Sequence, residues 1–110
     1  MRQLYVLFHS RGPAWDQGRD FTEQSGIEQH IAFMRSLGAQ GALVLGGPFA
    51  AGEAATPIGM AVITAPDMAE AERLALEDQS VASGLIAVSV RAWSVFMGDA
   101  LGDIPPAGEG

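Results

Sequence analysis

The chain has 110 residues, which is enough for one domain with a single hydrophobic core. Hydrophobic residues make up 48% of it and charged residues 17%, a balance that excludes wholesale disorder. Thirteen acidic residues against six basic ones give a formal charge of −7, so binding to nucleic acid or to an anionic membrane is disfavoured. The absence of cysteine excludes a disulfide, a thiolate nucleophile and a cysteine-bound metal.

The first segment, Leu4–His9, predicts a β-strand because it is rich in aromatic and branched residues and apolar on both faces. This apolar run is too short for a secretion signal or a membrane span, so we expect a cytoplasmic protein. A long connection, Ser10–Gln24, follows the strand. One interpretation is that this connection carries functional residues, as connections of this length often do. The alternative is a surface loop without a function, which Trp15 and Phe21 hold against the domain.

A first helix is indicated by a capping-box spacing, with Ser25 at the N-cap and Glu28 at the third helical position. We expect this helix to end at Gly38, since glycine is typical of the position after a helix. The apolar residues at helical spacing are Ile27, Ile31, Met34 and Leu37. Two strands are predicted next, Gly41–Gly46 and Ile58–Thr64, and a hairpin is the simplest way to pair them.

A second helix is indicated by Asp67 as N-cap, with Glu70 placed to reach back to it. We expect it to end in the polar stretch Asp78–Ser80, and a last strand to cover Ile86–Met97. The remaining residues are rich in glycine and proline, acidic and without periodicity. The sequence therefore predicts a single domain over residues 1–98 and a flexible C-terminal tail over residues 99–110.

The order of elements is βαββαβ, which predicts an α+β fold of the ferredoxin-like type with a four-stranded antiparallel sheet. Two helices cover only one face of such a sheet, yet the first and last strands are apolar on both faces. An uncovered apolar face of that size is unfavourable in a monomer. We therefore expect a homodimer that forms through the sheet faces, as a dimeric α+β barrel.

The strongest candidate site residue is His30, because its helical phase places it on the core-facing stripe of the first helix. Asp78 falls in phase with the buried stripe of the second helix if that helix continues one turn beyond Leu74. A buried imidazole and a buried carboxylate each need a partner, so we expect the two side chains to contact each other. A carboxylate that holds an imidazole prepares it as a general base. The alternative is a purely structural pair.

Four further residues are weaker candidates for the lining of a pocket: His9, Trp15, Phe49 and Arg91. His9 ends a strand, where a side chain can reach a pocket mouth, and Arg91 can bind an anionic substrate or pair with an acid across a dimer. A metal site of His9, His30 and Asp78 has the right residue types, but no spacing typical of metal ligands supports it. We expect neither a metal nor another cofactor.

The ordered set of these features resembles the YCII-related (YciI-like) family over residues 1 to about 98. The resemblance rests on the Gly46-Gly47-Pro48-Phe49 turn, on His30 in the first helix and on Asp78 before Ser83-Gly84-Leu85. It also includes the N-terminal stretch from His9 to Trp15, which is similar to one bacterial branch. The resemblance implies a dimeric α+β barrel and a histidine–aspartate site at His30 and Asp78. Many relatives have proline where this chain has Gln79.

These observations favour a small cofactor-independent enzyme in which a His30–Asp78 pair transfers a proton on a small substrate, such as an aromatic compound or a lactone. Elimination and isomerisation are the expected reaction types, because both need only a base, an acid and a dry pocket. Two alternatives stay open. One is a domain that binds a small molecule without catalysis, and the other is an accessory oligomeric domain without a ligand.

Overall fold

The computed structural model describes residues 2–50 and 57–98. The predicted tail over residues 99–110 lies outside the described residues. In chain order the elements are β1 (Arg2–Arg11), a 3-10 turn (Phe21–Glu23), α1 (Ile27–Ala39), β2 (Leu43–Pro48), β3 (Gly59–Ile63), α2 (Met68–Ala75), α3 (Gln79–Ala82) and β4 (Ile86–Val95). Among the helices of these ranges, none is long and apolar enough to cross a membrane.

The four strands form one antiparallel sheet in the order β2-β3-β1-β4. β1 is a central strand and pairs with β4 over its full length, from Arg2 opposite Val95 to Arg11 opposite Ile86. β2 and β3 form the predicted hairpin, although β2 begins and ends two residues later than the sequence indicated. The arrangement confirms the α+β, ferredoxin-like fold class.

The two faces of the sheet have different cores. Residues of β1, β3, α1 and α2 form the larger one, which contains Tyr5, Leu7, Phe33, Leu37, Ala61, Ile63, Ala71, Leu74 and Ala75. The core on the opposite face consists of strand residues alone: Leu4, Val6, Val62 and Val95. Because side chains alternate along a strand, the register places His9 on the helix-covered face together with Tyr5 and Leu7.

The predicted capping box of α1 is wrong. Gly26, not Ser25, is the N-cap, with a left-handed φ of 90° and no side-chain cap hydrogen bond. The helix also passes through Gly38 and ends at Ala39. The left-handed turn that follows is made by Gly41, whose φ is 75°.

The buried stripe of α1 also differs from the prediction. Phe33 is buried whereas Ile31 is 37% exposed. Ile27, His30 and Leu37 are buried as expected. The stripe is therefore rotated toward Phe33, and the side of the helix that carries Ile31 borders a cavity instead of the packed core.

The second predicted helix consists of two separate helices. Asp67 caps α2 as expected, since its side chain accepts a hydrogen bond from the Glu70 backbone N–H at 2.8 Å. The Glu70 carboxylate binds Arg73 instead of reaching back to the cap. The helix ends at Ala75, and Asp78 begins the one-turn helix α3 as its N-cap.

The long connection after β1 packs against the domain. Trp15 and Phe21 lie on a small core formed by Ile27, Leu85 and Ile86. Gln24, only 3% exposed, holds the connection together, because its side-chain amide accepts from the Asp16 N–H and donates to the Asp16 and Arg19 carbonyls. The connection is therefore an anchored segment that borders the site.

Candidate active site

His30 projects from α1 into the space between the helices and the sheet. It is 8% exposed and lies on the same face of the helix as Phe33, whose ring centroid is 6.4 Å away. The 3.6-residue period explains this placement, since Ile27, His30 and Phe33 recur at three-residue spacing on one face. An imidazole held in this position needs a hydrogen-bond partner that the helix itself does not supply.

Asp78 supplies that partner. Its Oδ2 lies 2.6 Å from Nδ1 of His30, and its side chain is fully buried. The predicted contact between the two side chains is confirmed. The reason given for it is wrong, because Asp78 does not continue the stripe of α2 but stands three residues beyond that helix as the N-cap of α3.

Ser80 holds the other oxygen of the same carboxylate. Its backbone N–H and its hydroxyl both donate to Oδ1 of Asp78, at 2.9 and 2.7 Å. Burial raises the pKa of Asp78, but the hydrogen bonds from His30 and Ser80 outweigh burial and hold that pKa below its usual range. Asp78 therefore remains ionised beside the imidazole at neutral pH.

The contact with Asp78 orients the imidazole of His30. A neutral ring whose Nδ1–H donates to a carboxylate carries its lone pair on Nε2. The carboxylate also stabilises the imidazolium that forms when Nε2 takes a proton. His30 thus has the arrangement of a general base, with Asp78 as its positioning residue.

A second histidine lies against the first. The rings of His9 and His30 meet edge to face, with centroids 4.7 Å apart and an interplanar angle of 77°. His9 is 3% exposed, and its Nε2 is buried without a hydrogen-bond partner among the described residues. Burial, together with the nearby His30, lowers the pKa of His9 to about 4, while Asp78 partly opposes this change. His9 is therefore neutral at physiological pH.

Both histidines line a cavity of about 390 Å³ between α1, β2 and β3. Of the described residues that line it, Arg35 is the only one with a permanent charge, and most of the others are apolar or glycine. The apolar lining consists of Phe21, Ile31, Met34, Leu43, Pro48, Ile58, Met60 and Ile86. The cavity is thus suited to a small, largely apolar ligand that meets polar groups at the two imidazoles and at its rim.

One position in the wall of this cavity, Gly46, has no room for a side chain. A Cβ on Gly46 would lie 2.8 Å from Cε of Met34 and 3.2 Å from Cα of Ala61. A side chain there would push Met34 out of its position beside the cavity. Gly46 therefore has a packing role in β2.

The other predicted pocket residues lie elsewhere. Trp15 and Phe49 border a neighbouring cavity of about 600 Å³, where the guanidinium of Arg11 lies 5.8 Å from the Trp15 ring centroid. Arg91 pairs in register with Val6 and so lies on the opposite face of the sheet, away from His30. Of the weaker candidates, the structure brings only His9 together with the His30–Asp78 pair.

The same three residues have the chemistry of metal ligands. One ligand atom from each of His9, His30 and Asp78 lies within 4.8 Å of the other two. Both oxygens of Asp78 already accept hydrogen bonds, from His30 and from Ser80. A metal ion bound to all three side chains would share the carboxylate of Asp78 with these hydrogen bonds or displace one of them.

Ser80 is the site residue that the sequence did not point to, because it was placed only in the polar stretch expected to end the second helix. The available signal was Asp78 itself, since aspartate is a preferred N-cap and its side chain often accepts from the backbone N–H two residues further on, here that of Ser80. The prediction of one continuous helix through this stretch concealed that signal.

By its fold and site, the protein is a ferredoxin-like α+β domain that carries a buried imidazole–carboxylate pair at the wall of a cavity. The family model of the YCII-related domain matches residues 4–94, so the chain belongs to the YCII-related family. The match includes both His30 and Asp78, and it confirms the resemblance noted from the sequence. A search of curated proteins gave no match.

Proposed function

We propose that this protein is a cofactor-independent acid–base enzyme in which His30 removes a proton from a small ligand. The observation that carries the proposal is the 2.6 Å contact between Nδ1 of His30 and Oδ2 of Asp78 at the wall of a cavity. The same carboxylate is held by two hydrogen bonds from Ser80, which fix it in position to orient the imidazole.

The cavity supports a substrate of limited size. Its volume of about 390 Å³ and its apolar lining fit a single-ring compound, such as an aromatic compound or a lactone. Arg35 at the rim is placed to meet an anionic substituent of that ring. Exclusion of water from such a space strengthens each polar contact within it.

The reaction types that fit are elimination and isomerisation. In an elimination the C–H bond breaks, the proton moves to Nε2 of His30, the electron pair forms a C=C bond, and the leaving group departs with the electrons of its own bond. In an isomerisation the protonated His30 returns the proton to a different carbon. Both reactions need one base that becomes an acid, and the carboxylate of Asp78 stabilises that protonated state.

Assembly is part of the proposal. We infer a homodimer that forms through the sheet face opposite the helices. The support is the apolar character of that face, where Leu4, Val6 and Val62 form a core of strand residues and Trp93 beside them is 48% exposed. The site with His30 lies on the other face, so each protomer would keep its own cavity.

Ligand-induced thermal shift with a panel of catechols, hydroxyquinols and lactones tests the proposal first, and turnover of every compound that binds tests it second. His30→Asn should lower turnover by about 10²-fold to 10⁴-fold, because it removes the base. Gln29→Asn, at an exposed neighbour on α1, is the matched control and should keep full activity. Binding without turnover in the unmodified protein would favour a binding domain, and full turnover in His30→Asn would exclude His30 as the base.

A further inference from the structure

The His30–Asp78 pair does not account for His9. The Nε2 atom of His9 is buried and has no hydrogen-bond partner among the described residues. Native proteins pair the large majority of buried polar side-chain atoms, and an exception requires an explanation. His9 also lines the same cavity as His30, so a bound ligand can supply the missing partner.

The sheet explains why this ring borders a cavity. His9 is opposite Gly59 in the register of β1 and β3, and residues opposite each other share one face of the sheet. Gly59 has no side chain to cover the imidazole, and it lines the cavity as well. A Cβ at Gly59 would lie 2.9 Å from the carbonyl oxygen of Gly47, so the hairpin itself keeps this position free of a side chain.

The geometry of the two imidazoles places His9 beside the proposed reaction. Because the ring centroids are 4.7 Å apart and the rings meet edge to face, a ligand that delivers a proton to His30 also lies next to His9. Burial and the proximity of His30 hold the pKa of His9 at about 4, so this ring remains neutral when His30 becomes charged. A neutral imidazole offers one N–H donor and one acceptor nitrogen.

We propose that His9 is a second ligand-contacting residue, whose N–H donates to the ligand oxygen on which negative charge develops when His30 removes the proton. A donor fixed in advance beside such an oxygen stabilises the charged species more than the neutral one. The inferred substrate class is a ring compound with a carbonyl or hydroxyl oxygen conjugated to the position that loses the proton. This inference rests on the proposed function.

The test uses 4-nitrophenol, a probe whose phenol and phenolate forms differ in visible absorption. On binding, the O–H bond breaks, the proton moves to His30, and the electron pair stays on the oxygen that accepts from His9. Nitrobenzene has the same ring without the hydroxyl and is the ligand control. The variants are His9→Phe, which keeps a ring but no donor, His9→Gln, which keeps an N–H donor, and His30→Asn.

The expected result is that the unmodified protein binds the probe as phenolate, and that His9→Phe raises the dissociation constant of the phenolate about tenfold to a hundredfold. His9→Gln should restore part of the affinity, and nitrobenzene should bind all folded forms equally. Phe8→Leu, on the opposite face of β1, is the matched control for the strand and should leave phenolate binding unchanged.

Three results would overturn the inference in distinguishable ways. If phenolate binding is lost in His30→Asn but persists at full strength in both His9 variants, His9 has no such role and the proposed function stands. If the unmodified protein fails to bind the probe as phenolate, the proposed function and this inference both fail. Equal losses for phenolate and nitrobenzene in His9→Phe would show that His9 only shapes the cavity.

Discussion

Ser80 donates two hydrogen bonds to one oxygen of Asp78, from its backbone N–H at 2.9 Å and from its hydroxyl at 2.7 Å. The other oxygen of Asp78 is thereby left to His30. The N-cap of the one-turn helix α3 is thus also the partner of the proposed base. Loss of the Ser80 hydroxyl therefore acts on His30 through this carboxylate.

Ser80→Ala removes the hydroxyl bond and brings the pKa of Asp78 back toward its usual range. A carboxylate whose pKa is lower in the folded than in the unfolded protein stabilises the fold at pH values above its unfolded-state pKa. The variant should therefore lose about 1–3 kcal/mol of unfolding free energy at neutral pH. Its acid unfolding should begin at higher pH than that of the unmodified protein. Denaturant unfolding at several pH values measures both effects.

Ser83→Ala, at the C-cap of the same short helix, is the matched control. The hydroxyl of Ser83 donates to the backbone carbonyl of Ser80 at 3.2 Å and touches neither Asp78 nor His30. Its loss should change stability by less than about 1 kcal/mol and leave the acid transition in place. Equal acid transitions for Ser80→Ala and Ser83→Ala would contradict the role assigned to Ser80.

The contrast between His30 and Asp78 shows how far the sequence predicts this site. Helical phase predicted the burial of His30 because α1 runs for 13 residues and its period is regular. The same reasoning applied to Asp78 reached the right contact through the wrong element, since α2 ends after eight residues. Where a helix ends depends on tertiary packing that the local pattern does not contain.

Asp78→Asn tests the orientation of His30. Asparagine is also a good N-cap, so α3 should remain folded. The side-chain amide of the new asparagine can donate to Nδ1 of His30, and neutral His30 should then carry its proton on Nε2. In that tautomer Nε2 has no lone pair and cannot remove a proton from the substrate. We expect turnover of any identified substrate to fall about 10²-fold to 10⁴-fold.

Nitrogen-15 NMR of the histidine ring reports this tautomer directly. Asp67→Asn is the matched control, because Asp67 is also the N-cap of a helix, α2, and its side chain accepts from the Glu70 N–H. It should change neither the tautomer of His30 nor the turnover. A His30 signal that is identical in Asp78→Asn and in the unmodified protein would contradict the positioning role of Asp78.

His9 should give the protein a pH-dependent stability. Its pKa falls from the ordinary value of 6.5 to about 4 on folding, so the unfolded chain binds more protons between these pH values. The free energy of unfolding should therefore decrease as the pH falls from 6.5 toward 4, by about 3 kcal/mol from this group. His9→Gln should flatten this part of the profile. An unchanged slope in that variant would assign the acid sensitivity to other groups.

Gly46→Ala should distort the cavity wall. The new Cβ would meet Cε of Met34 and the backbone of Ala61, so Met34 must move and the strand must shift slightly. We expect a loss of about 1–3 kcal/mol in stability and a weaker affinity for 4-nitrophenol. Gly47→Ala is the matched control for stability, because a Cβ there meets nothing within 4 Å. Equal losses of stability at the two glycines would exclude the proposed contact.

The cavity itself was beyond sequence-based prediction. Ile31 and Met34 were placed on a buried stripe because they are apolar at helical spacing, yet both border the cavity. An apolar side chain gives the same pattern whether it meets other side chains or an internal space. Gly46 and Gly59 line the same space without filling it, and their positions there depend on which strands pair.

The homodimer should form through the face of the sheet opposite the helices, and Trp93 lies on that face next to Leu4. Light scattering after gel filtration at micromolar concentration should give twice the mass of the chain. Trp93→Glu should shift the protein to monomers, because a carboxylate buried between two apolar faces is unfavourable without a partner.

Leu76→Glu is the matched control, since Leu76 is 65% exposed and follows α2 on the helix side. The control should remain dimeric. A monomeric unmodified protein would contradict the proposed assembly, and a dimer that persists in Trp93→Glu would move the interface to another surface.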